Sequence, residues 1–154
     1  MGDLSILASC FASAPVVSEL NKKGHEHWRD SKDRHDAQKL ATGAALRSMP
    51  IDNRVAAHDE LHKAGVVLVR MTILSIHPLD DDNQMSAVKY FRDEIARWLE
   101  VDDKDPRVKW VSKWERYRGR GSRGVRIEFV RFLDHLLAEK AEIERQIAAL
   151  RSST

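Results

Sequence analysis

The sequence predicts an α+β domain: a small mixed β-sheet carrying two packed helices, in the order β-α-β-α-β-β, plus an extra C-terminal helix. Three observations predict it. Residues 66–74 (VVLVRMTIL) are a β-branched apolar run bounded by Gly65 and Pro78, the mark of a buried strand. Residues 31–49, and the stretch from the Asp80 turn to about Glu100, carry apolar side chains at helical spacing, which predicts two helices packed on the sheet. Residues 108–114 and 125–130 alternate apolar with polar side chains around a glycine-containing turn at 119–124, which predicts a β-hairpin.

Each element has its own signals. Residues 16–20 are a short apolar run ending at Asn21-Lys22-Lys23-Gly24, a first strand and turn. In the first helix Ala37, Leu40, Ala44, Ala45 and Met49 share a face, Asp33 lies in the first turn and Pro50 stops it. Residues 51–65 are ambiguous in pattern, and Gly65 closes them. The second helix turns Val88, Phe91, Ile95, Trp98 and Leu99 to the core. From Phe132 the pattern changes: Leu133, Leu136, Lys140, Ile143, Ile147 and Leu150 follow alternating steps of three and four, a seam of nearly three heptads. That helix either packs on its own domain or pairs with its copy in a second subunit. The boundaries that follow are an N-terminal segment at 1–15, a domain at 16–130 and a helical extension at 131–154.

A chain of 154 residues, 42% hydrophobic, suits one domain with a real core. It is 32% charged, but four Trp and four Phe are too many for a disordered chain. The single cysteine, Cys10, excludes an intrachain disulfide framework and a cysteine-based zinc site and points to a reducing compartment. No apolar run approaches membrane-spanning length, so no membrane partner is expected. The first seventeen residues imitate a lipoprotein box around Cys10 and a signal-peptidase site around Ala14. They hold no Lys or Arg and do hold Asp3, and residue 6 is Ile where myristoylation asks for Ser or Thr. The expectation is a cytoplasmic protein with a loose or strand-forming N-terminus.

Net charge is only +2, and the average hides two blocks. Residues 80–103 hold eight acids against three bases, net −5, and residues 104–131 hold ten bases against three acids, net +7. An acidic block beside a basic one suits a protein that holds a divalent cation next to a polyanion. Two solvated surfaces that neutralise each other account for the same numbers.

The densest chemistry is Asp80-x-Asp82-Asn83, with Lys89 and Asp93 further on and Asp102-Asp103 after the helix. Carboxylates at i and i+2 in a turn can aim oxygens at one point, as a hard cation such as Mg²⁺ requires. With Asp82 or Asn83 as helix cap, Asp82, Lys89 and Asp93 fall on one stripe opposite the apolar face. Asp and Asn are also ordinary turn and cap residues, favoured by the helix dipole. An EF-hand is excluded by the spacing and by the missing glycine.

These residues resemble a family. Pro78-Leu79-Asp80-Asp81-Asp82-Asn83, then Lys89, Asp93, Val101-Asp102-Asp103 and Trp110, is similar to the RusA-like Holliday-junction resolvases, and Asn21-Lys22-Lys23 and His27-Trp28-Arg29 are similar to that family's N-terminal Asn and basic stretch. The resemblance covers about residues 16–130. It implies a homodimeric, Mg²⁺-dependent endonuclease (Mn²⁺ serving in its place) that resolves branched, four-way DNA in recombination and repair. Asp80 and Asp82 would be the paired acidic ligands and Asp103 the third, with Asp102 beside it as the alternative. Lys89 would be the catalytic lysine, although some members place it four residues after the second acid, where this chain has Ser86; Gln84 replaces the usual Leu. Lys22, Lys23 and Arg29 would contact DNA with Arg118, Arg120 and Arg123 of the glycine-flanked basic turn, which bind phosphate without reading sequence. An inactive junction or single-stranded DNA-binding protein, and a dimeric scaffold built on the 132–150 helix, are the alternatives.

The remaining candidates carry less. His25-x-His27 has no third ligand nearby in sequence. Cys10 has no base or cationic neighbour and reads as an inert thiol. No serine has a nucleophile-elbow setting. Trp110 and Trp114 share a strand face and read as core, though an exposed aromatic there would stack on an unpaired base.

Overall fold

A computed structural model describes residues 5–17, 28–119 and 123–152. Its elements in chain order are β1 (Ile6–Ser13), α1 (Trp28–Ser48), α2 (Ile51–His62), β2 (Val67–Ser75), α3 (Asp81–Ala87), α4 (Lys89–Trp98), β3 (Val108–Arg116), β4 (Gly124–Arg131) and α5 (Phe132–Ser152). The four strands form one mixed sheet in the order β1-β4-β2-β3. β4 runs antiparallel to both its neighbours, and β2 pairs parallel to β3 from Val67↔Val108 to Ser75↔Arg116. This is the expected α+β class with the expected mixed sheet and C-terminal helix.

One face of the sheet is the core. Val67, Val69, Met71 and Ile73 of β2 and Val125, Ile127 and Phe129 of β4 alternate onto it, and α1, α2 and α4 close over them with Leu46, Leu61, Phe91, Ile95 and Leu99. Phe91 and Phe129 are fully buried; truncating either to Ala removes about 3–5 kcal/mol. The opposite face carries charges paired across strands. Arg70 Nε donates to Glu128 at 2.8 Å, and Arg126 reaches Glu115 at 3.0 Å, with Lys113 on the same carboxylate at 3.1 Å.

Four expectations need correction. The first described strand is Ile6–Ser13; Val16 and Val17, the start of the expected strand, lie beyond it in no strand, and 18–20 fall outside the described residues. Pro15 explains the end of pairing, because it has no N–H for a ladder. Residues 51–65 hold a helix, α2, which starts directly after Pro50 and ends before Gly65, whose φ of +88° suits glycine alone. The helix before Glu100 is two helices broken at Val88.

The fourth correction concerns the hairpin. β3 and β4 do not pair; β2 lies between them. β4 is a central strand, buried on both faces at Phe129 and Val130, whereas β3 is an edge. A parallel partner for β2 comes from the α3–α4 crossover, which is the kind of connection parallel strands need. Gly124 enters β4 where a Cβ would stand 2.0 Å from the Ala12 carbonyl oxygen, so β1 and β4 close only on glycine.

Candidate functional site

Beyond the C-terminal end of β2 the chain passes His77-Pro78-Leu79 and enters α3 at the acidic turn. Asp80 is the N-cap, extended at φ −69° and ψ 169°. Its Oδ1 accepts from the Asn83 backbone N–H at 3.0 Å and from Asn83 Nδ2 at 2.7 Å. Gln84 Nε2 donates to the Leu79 carbonyl at 2.7 Å, and Asn83 and Gln84 are both buried. The turn is therefore held by its own polar groups, and the cap is Asp80, not Asp82 or Asn83. Asp81 and Asp82 occupy the first turn of α3, exposed, where the helix dipole favours negative charge.

Lys89 is the first residue of α4, across the Val88 break from Asp82, so the single stripe Asp82–Lys89–Asp93 does not form. Its Nζ lies 5.1 Å from the Tyr90 ring centroid; Lys39 Nζ lies 5.5 Å from the same ring, and His35 stacks on it at 3.6 Å. Asp93, one turn beyond Lys89, lines a groove between α1 and α4 with Lys39, Arg47, Glu94 and Arg97.

Asp103 stands in the turn leading to β3. Its backbone carbonyl accepts from Trp110 Nε1 at 3.1 Å and from Arg92 Nη2 at 3.3 Å, and the Arg92 guanidinium lies 5.1 Å from the Trp110 ring centroid. This clamp ties the Asp102-Asp103 turn to α4, and among the described residues the Asp103 carboxylate has no ion pair. Asp102 instead accepts from the Lys104 N–H at 2.9 Å, an Asx turn. Three residues beyond Asp102, Asp105 is held by Arg107, whose guanidinium and backbone N–H hold the carboxyl down to about 2. Among the described residues, no three side chains of the His, Cys, Asp or Glu kind are gathered around one point for an ion.

The basic candidates divide. Lys22, Lys23 and Arg120 lie outside the described residues, as do His25 and His27. Arg29 is exposed in the first turn of α1. Arg118 and Arg123 are exposed at the ends of the β3–β4 connection. Arg123 also lines a hollow of about 610 Å³ with Pro15, Val16, Leu74, Ile76, His77 and Leu79, directly beside the acidic turn. No local signal announces this hollow, because it unites the ends of β1, β2 and β4. Trp110 and Trp114 are half-buried against the core, with Trp114 Nε1 on Ser75 Oγ at 2.8 Å. Burial pushes the Cys10 thiol up to about 12, which makes it the inert thiol expected. Comparison with protein-family models, with curated proteins and with solved structures finds no match.

Proposed function

We propose that the chain is a structure-specific endodeoxyribonuclease that cuts four-way DNA junctions, of the RusA-like kind, with Asp80, Asp82 and Asp103 as ligands of Mg²⁺. One observation carries the proposal beyond the motif: the α3–α4 unit bears Asp80 and Asp82 at its start and, through Arg92, clamps the turn bearing Asp103. Both acid groups of the motif are thus mounted on one helical unit. The donor chemistry suits the ion, since hard carboxylate oxygens are what Mg²⁺ binds, and Asp82 and Asp103 have no competing ion pair among the described residues. Among the described residues the acids are not gathered around one point, so metal binding requires them to be brought together.

When bound, Mg²⁺ polarises a phosphate and lowers the pKa of an attacking water. The chain's own residues bind and position. Arg118 and Arg123 offer cationic contacts to backbone phosphates, and Lys89 offers a further cation to developing phosphate charge. The hollow lined by Leu79, the residue before Asp80, joins apolar walls to Arg123. Acting as a homodimer, the protein would present two such sites to opposed strands of a symmetric junction.

A second reading, junction binding without cleavage, is favoured by the use of Asp80 Oδ1 as a helix cap. One experiment separates the two: labelled four-way junction and matched linear duplex, incubated with the protein in Mg²⁺, Mn²⁺ or EDTA. The proposal expects metal-dependent incision of the junction and little of the duplex. Equal junction affinity in all three conditions with no nick supports binding alone.

A further inference from the structure

Helix α5 leaves the sheet at Arg131 and runs for 21 residues without one buried side chain. Leu133, Leu136, Leu137, Ile143, Ile147 and Leu150 are 43–72% exposed. At a rise of 1.5 Å per residue its 21 residues extend about 31 Å, and its contacts with the sheet are confined to β4 and β2 at its root. An isolated amphipathic helix is marginal in water, and its stability comes from covering the apolar stripe. A continuous apolar stripe on this scale marks an interaction surface.

We infer that α5 pairs with α5 of a second copy of this chain, antiparallel, about a two-fold axis passing between Ala141 and Glu142. The heptad positions carry the argument. Leu133, Lys140 and Ile147 occupy one seam position, and Leu136, Ile143 and Leu150 the other. Antiparallel pairing about that axis sets Leu133 against the partner's Leu150, Leu136 against the partner's Ile147, and Lys140 against the partner's Ile143. The two outer pairs are then apolar on both sides, and each Lys140 meets an isoleucine instead of a second lysine. Lys140, which already reaches Glu144 of its own helix at 3.8 Å, has the partner's Glu144 beside it, so two lysines and two glutamates alternate around the axis.

Parallel, in-register pairing is worse on charge. It sets Lys140 against the partner's Lys140 in the seam and Glu139 against the partner's Glu144 on both flanks, and like charges at those positions select against a register. The seam is about three heptads long, so the interface is of the small, reversible class. The pairing rests on α5 and stands whether or not the protein cuts DNA.

The test is sedimentation equilibrium of the full chain from about 1 to about 200 µM, without DNA or metal. A concentration-dependent monomer–dimer equilibrium is expected. Leu136→Glu with Ile143→Glu, both exposed and so harmless to the monomer fold, should weaken it by at least about 30-fold. Lys140→Ile, which removes the seam's one charge, should tighten it, a gain that misfolding cannot mimic. Orientation is read in a Cys10→Ser background by mixing a Leu136→Cys chain with an Ile147→Cys chain under oxidation. Mixed disulfides support the antiparallel pair, and disulfides within each single variant overturn it. A monomer throughout the range, or a dimer indifferent to the two glutamates, overturns the inference.

Discussion

Replacing Asp80 separates its role as a helix cap from its proposed role as a ligand. Its Oδ1 takes two hydrogen bonds from Asn83, one from the backbone and one from a side-chain amide in a residue only 8% exposed. In Asp80→Ala the cap is lost at about 1 kcal/mol, and the buried Asn83 side chain loses its 2.7 Å bond to Asp80 at about 1 kcal/mol more. The sum, about 2 kcal/mol, lowers Tm by roughly 4–8 °C for a domain of this size. In Asp80→Asn the amide oxygen still accepts both bonds, and Asn caps as well as Asp. Only the charge–dipole attraction is lost, at about 0.3–1 kcal/mol, so Tm falls by no more than roughly 4 °C. Cleavage behaves differently: both variants remove the anionic charge that holds a hard cation, and both should lose junction cleavage by orders of magnitude. The assays are thermal unfolding by circular dichroism and gel-resolved cleavage of a labelled junction in Mg²⁺. Asp80→Asn that cuts at the wild-type rate would refute the ligand role, and Asp80→Asn as unstable as Asp80→Ala would refute the cap account.

Three further outcomes are expected. Asp105 is held down to about 2 by Arg107, below its ordinary value near 4, so its contribution to stability is present above that value and fades as pH falls towards 2. Wild type should therefore be more stable than Asp105→Asn at pH 6, with the gap closing between about pH 4 and 2 in denaturant titrations. Burial lifts the Cys10 thiol to about 12. Alkylation by iodoacetamide at pH 8, followed by mass spectrometry, should be on the order of 10²–10³-fold slower in the folded protein than in urea. Gly124→Ala drives a methyl into the Ala12 carbonyl at 2.0 Å and should cost at least about 3 kcal/mol, read as a lower urea midpoint.

The sequence disclosed those parts of the fold whose signals are local. The β2 run, the amphipathic face of α4 and the heptad seam of α5 each occur where their patterns place them. α1 is a helix as expected, but its apolar spacing misplaced the face: Ala37, Leu40 and Ala44 are exposed, and Gln38, Thr42 and Leu46 are buried beside Ala45 and Met49. Strand order was not legible. Alternation at 108–116 and 124–131 is the same whether two strands pair with each other or each flank a third. What marks β4 as central is burial on its outer face at Val130 and the charge pair Arg70–Glu128, which needs β2 beside it. β1 was legible only as a loose or strand-forming N-terminus, because its core face is Ala8, Cys10 and Ala12, residues too small to announce a strand. The break at Val88 escaped because Val88 and Phe91 keep helical spacing across it. At the site, the acids and their order were legible. The clamp of Arg92 and Trp110 on the Asp103 carbonyl was not, since it spans α4 and β3 and uses a backbone atom.

The most direct test of the central claim pairs cleavage with binding in Asp82→Asn and Asp103→Asn, two acids with no capping bond to confuse the reading. On a four-way junction in Mg²⁺, wild type should make paired incisions. Each variant should lose cleavage by orders of magnitude while binding the junction as tightly as wild type or more so, because a negative charge near phosphate has been removed. Cleavage by either variant at the wild-type rate, or a wild type that never cuts a junction in Mg²⁺ or Mn²⁺, would contradict the claim.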